Sequence, residues 1–167
     1  MIFKITDDGP RPANLQVDFP ATSFPADLAS AVLPDGYVWV ATSPSPECGP
    51  YERVEQVGPV QIDGSWVQGW QVVPWTHEEV QAHLVGVIQQ YLDTTAQARA
   101  YDGILSLCTY ATSPSPKFVA EGQAGVEWRD ACWTKGYQIL AECQAGTRPI
   151  PKPEELIAEL PAMVWPE

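Results

Sequence analysis

The sequence contains few basic residues and almost no histidine. Nine lysines and arginines stand against 21 aspartates and glutamates, and the formal net charge is −12. The bases are scattered from Lys4 to Lys152 and form no cluster. Nucleic acids and anionic membrane surfaces both attract clustered cations. The composition therefore predicts that neither is a partner of this chain.

Long hydrophobic runs are also missing. No stretch approaches the roughly 18 apolar residues that suggest a membrane-spanning helix. The first eight residues lack the apolar segment of a secretory signal peptide. We expect a chain without a transmembrane helix or leader, which stays in the compartment where it is made.

Sequence motifs that support catalysis are absent as well. The two histidines, His77 and His83, are six residues apart, which places them on opposite sides of a helix, where they cannot share a metal ion. No glycine-rich phosphate loop or nucleophile-elbow serine is present. Glu127 and Asp130 could form an acid–base pair, although a solvated acidic face beside Arg129 is the simpler interpretation. The sequence predicts a non-enzyme with no catalytic residue, metal site or cofactor.

The four cysteines do not form a CxxC motif. Cys48, Cys108, Cys132 and Cys143 are far apart, and three of them lie in helical patterns. We interpret them as reduced, mostly buried small hydrophobic residues. Two disulfides remain the alternative.

The first half of the chain has the pattern of a small β-rich module. Apolar residues come in short runs broken by proline and glycine, and the chain has 17 prolines. The Asp63-Gly64 pair between apolar flanks predicts a tight hairpin. Alternation and composition predict strands at Ile2–Ile5, Leu15–Phe19, Tyr37–Val40, more weakly Val54–Val60, and on both sides of the hairpin turn. A short helix is predicted over Pro25–Val32.

Helical periodicity begins after Pro74. Thr76 and Glu79 form a capping box, and an apolar stripe continues to about Ala100. Asp102 is placed to cap a short helix, and Pro153 opens another that ends before Pro161. A second long helix is predicted from Lys117 to Ala145. The fold class is therefore α+β, with a small antiparallel β module (residues 1–74) followed by a helical hairpin domain (residues 75–167).

The second long helix is apolar on more than one side. Its main stripe consists of Phe118, Gly122, Val126, Arg129, Cys132, Trp133, Gly136, Leu140 and Cys143. Trp128, Ala131 and Ile139 lie off this stripe, so the helix must meet more than one neighbour: its hairpin mate, and either the β module or another chain, which could be a second copy of this one. Glycines 122, 125 and 136 each cost about 1 kcal/mol relative to alanine in a helix. They are either tolerated or needed for close backbone approach.

Seven tryptophans stand out, four of them in the first 75 residues. So small a module rarely buries four indoles completely, and tryptophan and tyrosine dominate binding hot spots. The predicted partner-binding residues are Tyr37, Trp39, Trp66 and Trp70 in the β module, with Trp128 and Trp133 on the second long helix. Core packing or stacking against a sugar would use the same side chains.

Several motifs occur in order along the second half: YLD at 91–93, RxYD at 99–102, PKFxxEG at 116–122 and WRDAxW at 128–133. With the segment from Val60 to Glu79, they make residues 55–165 resemble small bacteriophage proteins known as tail-fibre assembly or tail-fibre-associated proteins. Residues 1–50 match only loosely, through their Phe-Pro and Leu-Pro-Asp-Gly segments.

This resemblance implies a non-enzymatic role in building or completing a phage tail. The implied partner is a trimeric tail-fibre protein or a baseplate protein, and the protein acts as an assembly chaperone or stays in the virion. Its implied locations are the host cytoplasm during assembly and the virion tail. The alternative is a module at the fibre tip that binds a carbohydrate or host receptor.

Overall fold

The chain divides into two compact units in the computed structural model, which describes residues 1–167. One compact unit is Met1–Trp75 and the other is Thr76–Glu167. The first contains small antiparallel sheets and the second contains the long helices. The predicted α+β class is therefore confirmed.

The N-terminal unit has a three-stranded antiparallel sheet in the order β2-β1-β3. Its strands are β1 (Ile2–Thr6), β2 (Gly9–Pro12) and β3 (Tyr37–Trp39). The strands predicted at Ile2–Ile5 and Tyr37–Val40 are therefore confirmed. Phe3 and Val40 are buried in it, and the Val40 N–H donates to the Met1 carbonyl at 2.7 Å.

The second sheet is the predicted hairpin, formed by β4 (Glu52–Ile62) and β5 (Ser65–Pro74). Asp63 and Gly64 both have positive φ, as a two-residue hairpin turn of this kind requires. The weaker strand predicted at Val54–Val60 is real and extends further at both ends. The pairing shifts between Val57 and Val60, so Gly58-Pro59 forms a bulge inside the strand instead of ending it.

Two predictions for the N-terminal unit are wrong. Residues Leu15–Asp18 form a short helix, α1, instead of a strand, because the Asn14 side chain accepts a hydrogen bond from the Gln16 N–H and caps it. Pro25–Val32 forms no helix. The Asp27 carboxylate accepts from the Ala29 N–H, a local bond that competes with helical pairing, and Val32 is almost fully exposed.

The C-terminal unit contains α2 (His77–Gln97), α3 (Ile104–Thr109), α4 (Pro116–Gln144) and α5 (Pro153–Glu159), with a 3-10 turn at Tyr110–Thr112. The predicted capping box is present: the Thr76 hydroxyl accepts from the Glu79 N–H, and the Glu79 carboxylate accepts from the Thr76 N–H. Helix α3 is capped differently from the prediction. Its Ile104 N–H donates to Asp93 of α2 at 2.9 Å, so Asp102 is not the cap.

The C-terminal core lies between α2, α3, α4, α5 and the segment that follows α5. Its fully buried side chains include Leu92, Ile104, Leu107, Cys132 and Leu156. The Pro161 carbonyl accepts from the Trp128 indole N–H at 2.7 Å, which holds the C-terminal segment against α4. All four cysteines are free thiols, and of these only Cys132 is fully buried.

Three glycines of α4 lie where neighbouring elements come closest. A Cβ atom at Gly122 would lie 2.3 Å from the Ala111 backbone nitrogen, and one at Gly125 would lie 2.6 Å from Leu107. At Gly136 it would lie 2.7 Å from the Ile88 side chain. Of the two interpretations of these glycines, close approach is therefore the correct one.

Replacing Gly122 by alanine should destabilise the protein strongly, because the clash is with backbone that cannot rotate away. We expect Gly122→Ala to lower the free energy of unfolding by about 3 kcal/mol or more. Gly86→Ala is the matched control, since Gly86 is in α2 and has no atom within 4 Å of its Cβ position. That change should stabilise the protein by about 1 kcal/mol. Urea unfolding followed by far-ultraviolet circular dichroism measures both; equal effects would contradict the packing argument.

Candidate functional site

An open apolar groove of about 390 Å³ lies in the C-terminal unit between α2, α4 and the segment that contains α5. The lining residues of this α2–α4 groove are His77, Val80, Gln81, Leu84, Val85, Ile88, Trp133, Gly136, Tyr137, Ile139, Leu140, Cys143, Gln144, Ile150 and Leu156. No lysine, arginine, aspartate or glutamate is among them. The groove is therefore a surface for apolar contact.

The floor of the groove consists of core residues. Ile88, Ile139 and Leu156 are each less than 5% exposed. Gly136 has no side chain, so Ile88 of α2 approaches the α4 backbone directly at this point. The floor therefore belongs to the same packed core that joins the two helices.

The walls, in contrast, are exposed to solvent. Tyr137 is 67% exposed, Val85 is 43% exposed and Ile150 is 40% exposed. The Trp133 and Tyr137 rings, one helical turn apart on α4, lie 6.4 Å apart between centroids. Large apolar side chains on rigid helices form a pre-organised contact surface, and aromatic residues in such a surface commonly supply most of the binding energy.

The polar groups of the groove offer no reactive chemistry. The lining residues His77, Gln81 and Gln144 are exposed. Burial raises the pKa of the Cys143 thiol, so it stays protonated at neutral pH, and its Sγ donates to the Pro149 carbonyl. The groove is open and mostly apolar, which suits apolar contact better than capture of a small polar ligand.

The structure contradicts two of the predicted partner-binding residues. Tyr37 is buried: its ring packs edge-on against Phe19, and its hydroxyl donates to Asp18 at 3.1 Å. Trp128 is 5% exposed and packs against Tyr91 in the helical core. The assignment of these two residues to an interface is wrong, because a partner could not reach them without opening the core.

The other four candidates are half-buried and lie in different places. Trp39 is on β3, and Trp66 and Trp70 are on β5, where the Trp70 indole N–H donates to the Ser43 carbonyl and hydroxyl oxygens. Trp133 is on α4 and lines the α2–α4 groove. Trp66 and Trp70 line neither of the two concave sites described here, so glycan binding there remains a prediction without a supporting observation.

Sequence reasoning missed Val85, Tyr137 and Ile150. Val85 lies beside the predicted stripe of α2, and Tyr137 follows Trp133 at the i+4 spacing that places both on one helix face. That spacing was a usable signal. Ile150 lies in an irregular segment between α4 and α5, where periodicity gives no information.

A second, polar cleft surrounds the one buried charged residue, Glu121, which is 3% exposed. Its carboxylate accepts hydrogen bonds from Arg99 at 2.9 Å and from the Tyr101 hydroxyl at 2.5 Å. The Tyr101 bond, followed by Arg99, keeps the pKa of Glu121 below its usual range. Burial and this same hydrogen bond raise the pKa of Tyr101 to about 12. The carboxylate is fully satisfied, which suits a structural anchor better than a catalytic base.

The suggested acid–base pair of Glu127 and Asp130 receives no support. Glu127 is exposed, and the Asp130 side chain is 63% exposed and paired with Arg129 at 2.8 Å. Among the 167 residues, no group of three or more histidine, cysteine or acidic side chains could bind a metal ion. None of the helices is long and apolar enough to cross a membrane.

No protein-family model, curated protein or solved structure matches this chain.

Removing the Glu121 charge should weaken the fold in a pH-dependent way. We expect Glu121→Gln to lower the free energy of unfolding by about 2 kcal/mol at neutral pH, because the amide lacks the negative charge and has an NH2 donor in place of one of the two oxygens to which Arg99 and Tyr101 donate. A carboxylate with a lowered pKa stabilises the fold above its unfolded pKa. This contribution disappears as the pH falls through the folded pKa, so wild type and variant should converge in acid.

Tyr101 makes the stability of the fold depend on pH at the alkaline end of the range. Its raised pKa means that the neutral hydroxyl stabilises the fold below the ordinary tyrosine pKa of 10, and this stabilisation is lost as the pH rises towards 12. Tyr101→Phe should remove this loss of stability at alkaline pH. Urea unfolding across the pH range measures both variants. A pH-independent difference between wild type and Glu121→Gln would show that the ionised carboxylate is not the stabilising form.

Proposed function

We propose that this chain is a non-enzymatic phage tail protein that binds a tail-fibre or baseplate protein. It acts as a fibre assembly chaperone in the host cytoplasm or as a retained component of the virion tail. The observation that carries the proposal is the α2–α4 groove, an apolar surface with a buried floor and exposed walls. Surfaces of this kind in a water-soluble fold are typical of protein–protein interaction sites.

The choice of partner rests on the resemblance of residues 55–165 to tail-fibre assembly proteins. The groove lies inside that segment, and WRDAxW, one of its motifs, ends at Trp133 in the groove wall. The same motif contributes Trp128 to the core, so part of the resembling segment maintains the helical unit and part lines the groove. This division fits a shared scaffold that presents a contact surface.

Co-expression with the tail-fibre protein of the same phage tests the proposal. We expect the tagged chain to co-purify with the fibre protein and to raise the yield of its soluble trimer. Val85→Asp and Tyr137→Ala should each reduce co-purification at least tenfold, because they place a charge in the groove or remove its most exposed aromatic ring.

The matched controls are Leu105→Asp and Leu105→Ala, since Leu105 of α3 is 69% exposed and lies outside the groove. Both should bind as wild type does. Circular dichroism verifies that every variant is folded. Undiminished co-purification of both groove variants would show that the groove is not the binding site. No interaction with the fibre protein, nor with a baseplate protein co-expressed in the same way, would refute the proposal itself.

A further inference from the structure

The α2–α4 groove also restricts the backbone conformation of whatever occupies it. Two of its walls are the helices α2 and α4, whose backbone N–H and C=O groups already bond within each helix. The third is the segment that contains Ile150. An extended peptide in the groove would leave its own backbone groups without partners, and each such group costs free energy when buried. An α-helix satisfies its backbone internally and can enter an apolar groove without that cost.

The dimensions agree with a helical occupant. Along α2 the lining runs from His77 to Ile88, a length of about 16 Å at 1.5 Å per residue. Three turns of a helix span this distance. The lining residues Leu84, Val85 and Ile88 on α2, and Trp133, Tyr137 and Leu140 on α4, follow the i, i+3, i+4 spacing whose ridges and grooves receive a third helix.

The charge around the groove indicates the chemistry of the occupant's flanks. The segments that form the groove, residues 77–88 and 133–159, contain six acids and only three bases. Two of these bases, Lys135 and Arg148, already form ion pairs with Glu159. Glu78 is exposed and lies two helical turns from Val85 on the same side of α2. The ion pairs of Lys135 and Arg148 also occupy Glu142 and Glu159, which leaves four acids and one base in these segments. The segments that border the apolar lining therefore carry an excess of negative charge.

We infer that the groove receives an amphipathic α-helix of the partner protein, with apolar anchors at i, i+3/i+4 and i+7 and lysine or arginine on its flanks. This inference rests on the proposed function, since it specifies the partner segment that the groove binds. The apolar anchors contact Tyr137, Val85 and Ile150, and the basic flanks meet the acidic border.

Three synthetic peptides test the inference against the full-length chain by fluorescence anisotropy. The first is an amphipathic helix of about four turns with leucine anchors and lysine flanks. The second has glutamate in place of each lysine, and the third has a central proline that breaks the helix. We expect the first peptide to bind at least tenfold more tightly than either of the others. Its affinity should also fall several-fold at high salt, because ion pairing at an exposed border is screened.

The location is tested with Tyr137→Ala, which should weaken binding of the basic peptide at least tenfold, while Leu105→Ala should leave it unchanged. Absence of binding, equal affinity for the glutamate or proline peptide, or an unchanged affinity of Tyr137→Ala would each overturn the inference. The proposed function is judged separately by fibre co-purification. If that depends on the groove while the basic peptide does not bind, the proposed function stands and the helical, basic occupant is wrong.

Discussion

Helix α4 can occupy its place only because it lacks side chains where its neighbours come closest. Gly122, Gly125 and Gly136 lie within about 60° of one another around the helix axis. The 3-10 turn, α3 and α2 meet this face in succession. A methyl group at Gly122 would meet backbone and one at Gly125 would meet Leu107, so each would push an element away from α4. At Gly136 it would displace the end of the Ile88 side chain, which forms part of the floor of the α2–α4 groove.

A second constraint fixes the connection between α2 and α3. Glu121 of α4 is buried with its charge, which is tolerated only because Arg99 and Tyr101 from that connection surround it. Asp93 adds the cap of α3 from the preceding helix. These polar contacts are specific in direction, whereas apolar packing is not. They therefore define where the chain turns between the helices, while the glycine face defines how closely the helices approach.

Local signals in the sequence were sufficient for much of the fold. The Asp63-Gly64 turn, the Thr76–Glu79 capping box and the extent of α4 depend on residues close together in the chain. The sequence did not reveal which face of α4 is buried, because this helix has apolar residues on several sides and its buried face includes a glutamate. Glu121 is buried only because Arg99 and Tyr101 donate hydrogen bonds to it from another segment. The periodicity of α4 gives no information about such contacts between distant parts of the chain. The same limit explains why Trp128 was mistaken for an interface residue and why Ile150 was missed.

The acidic character of the C-terminal unit bears on what kind of chain can cover the α2–α4 groove. Residues 76–167 carry twelve acids and six bases, a net charge of −6. A symmetric dimer through the groove would bring two such units together and place like charges at the border of the contact, which costs free energy. A basic partner meets no such repulsion and is attracted at the same border. The acidic border therefore disfavours self-association through the groove but leaves the groove accessible to a chain of opposite charge. Specificity for the partner then comes from repulsion between like chains as well as from attraction to a basic one.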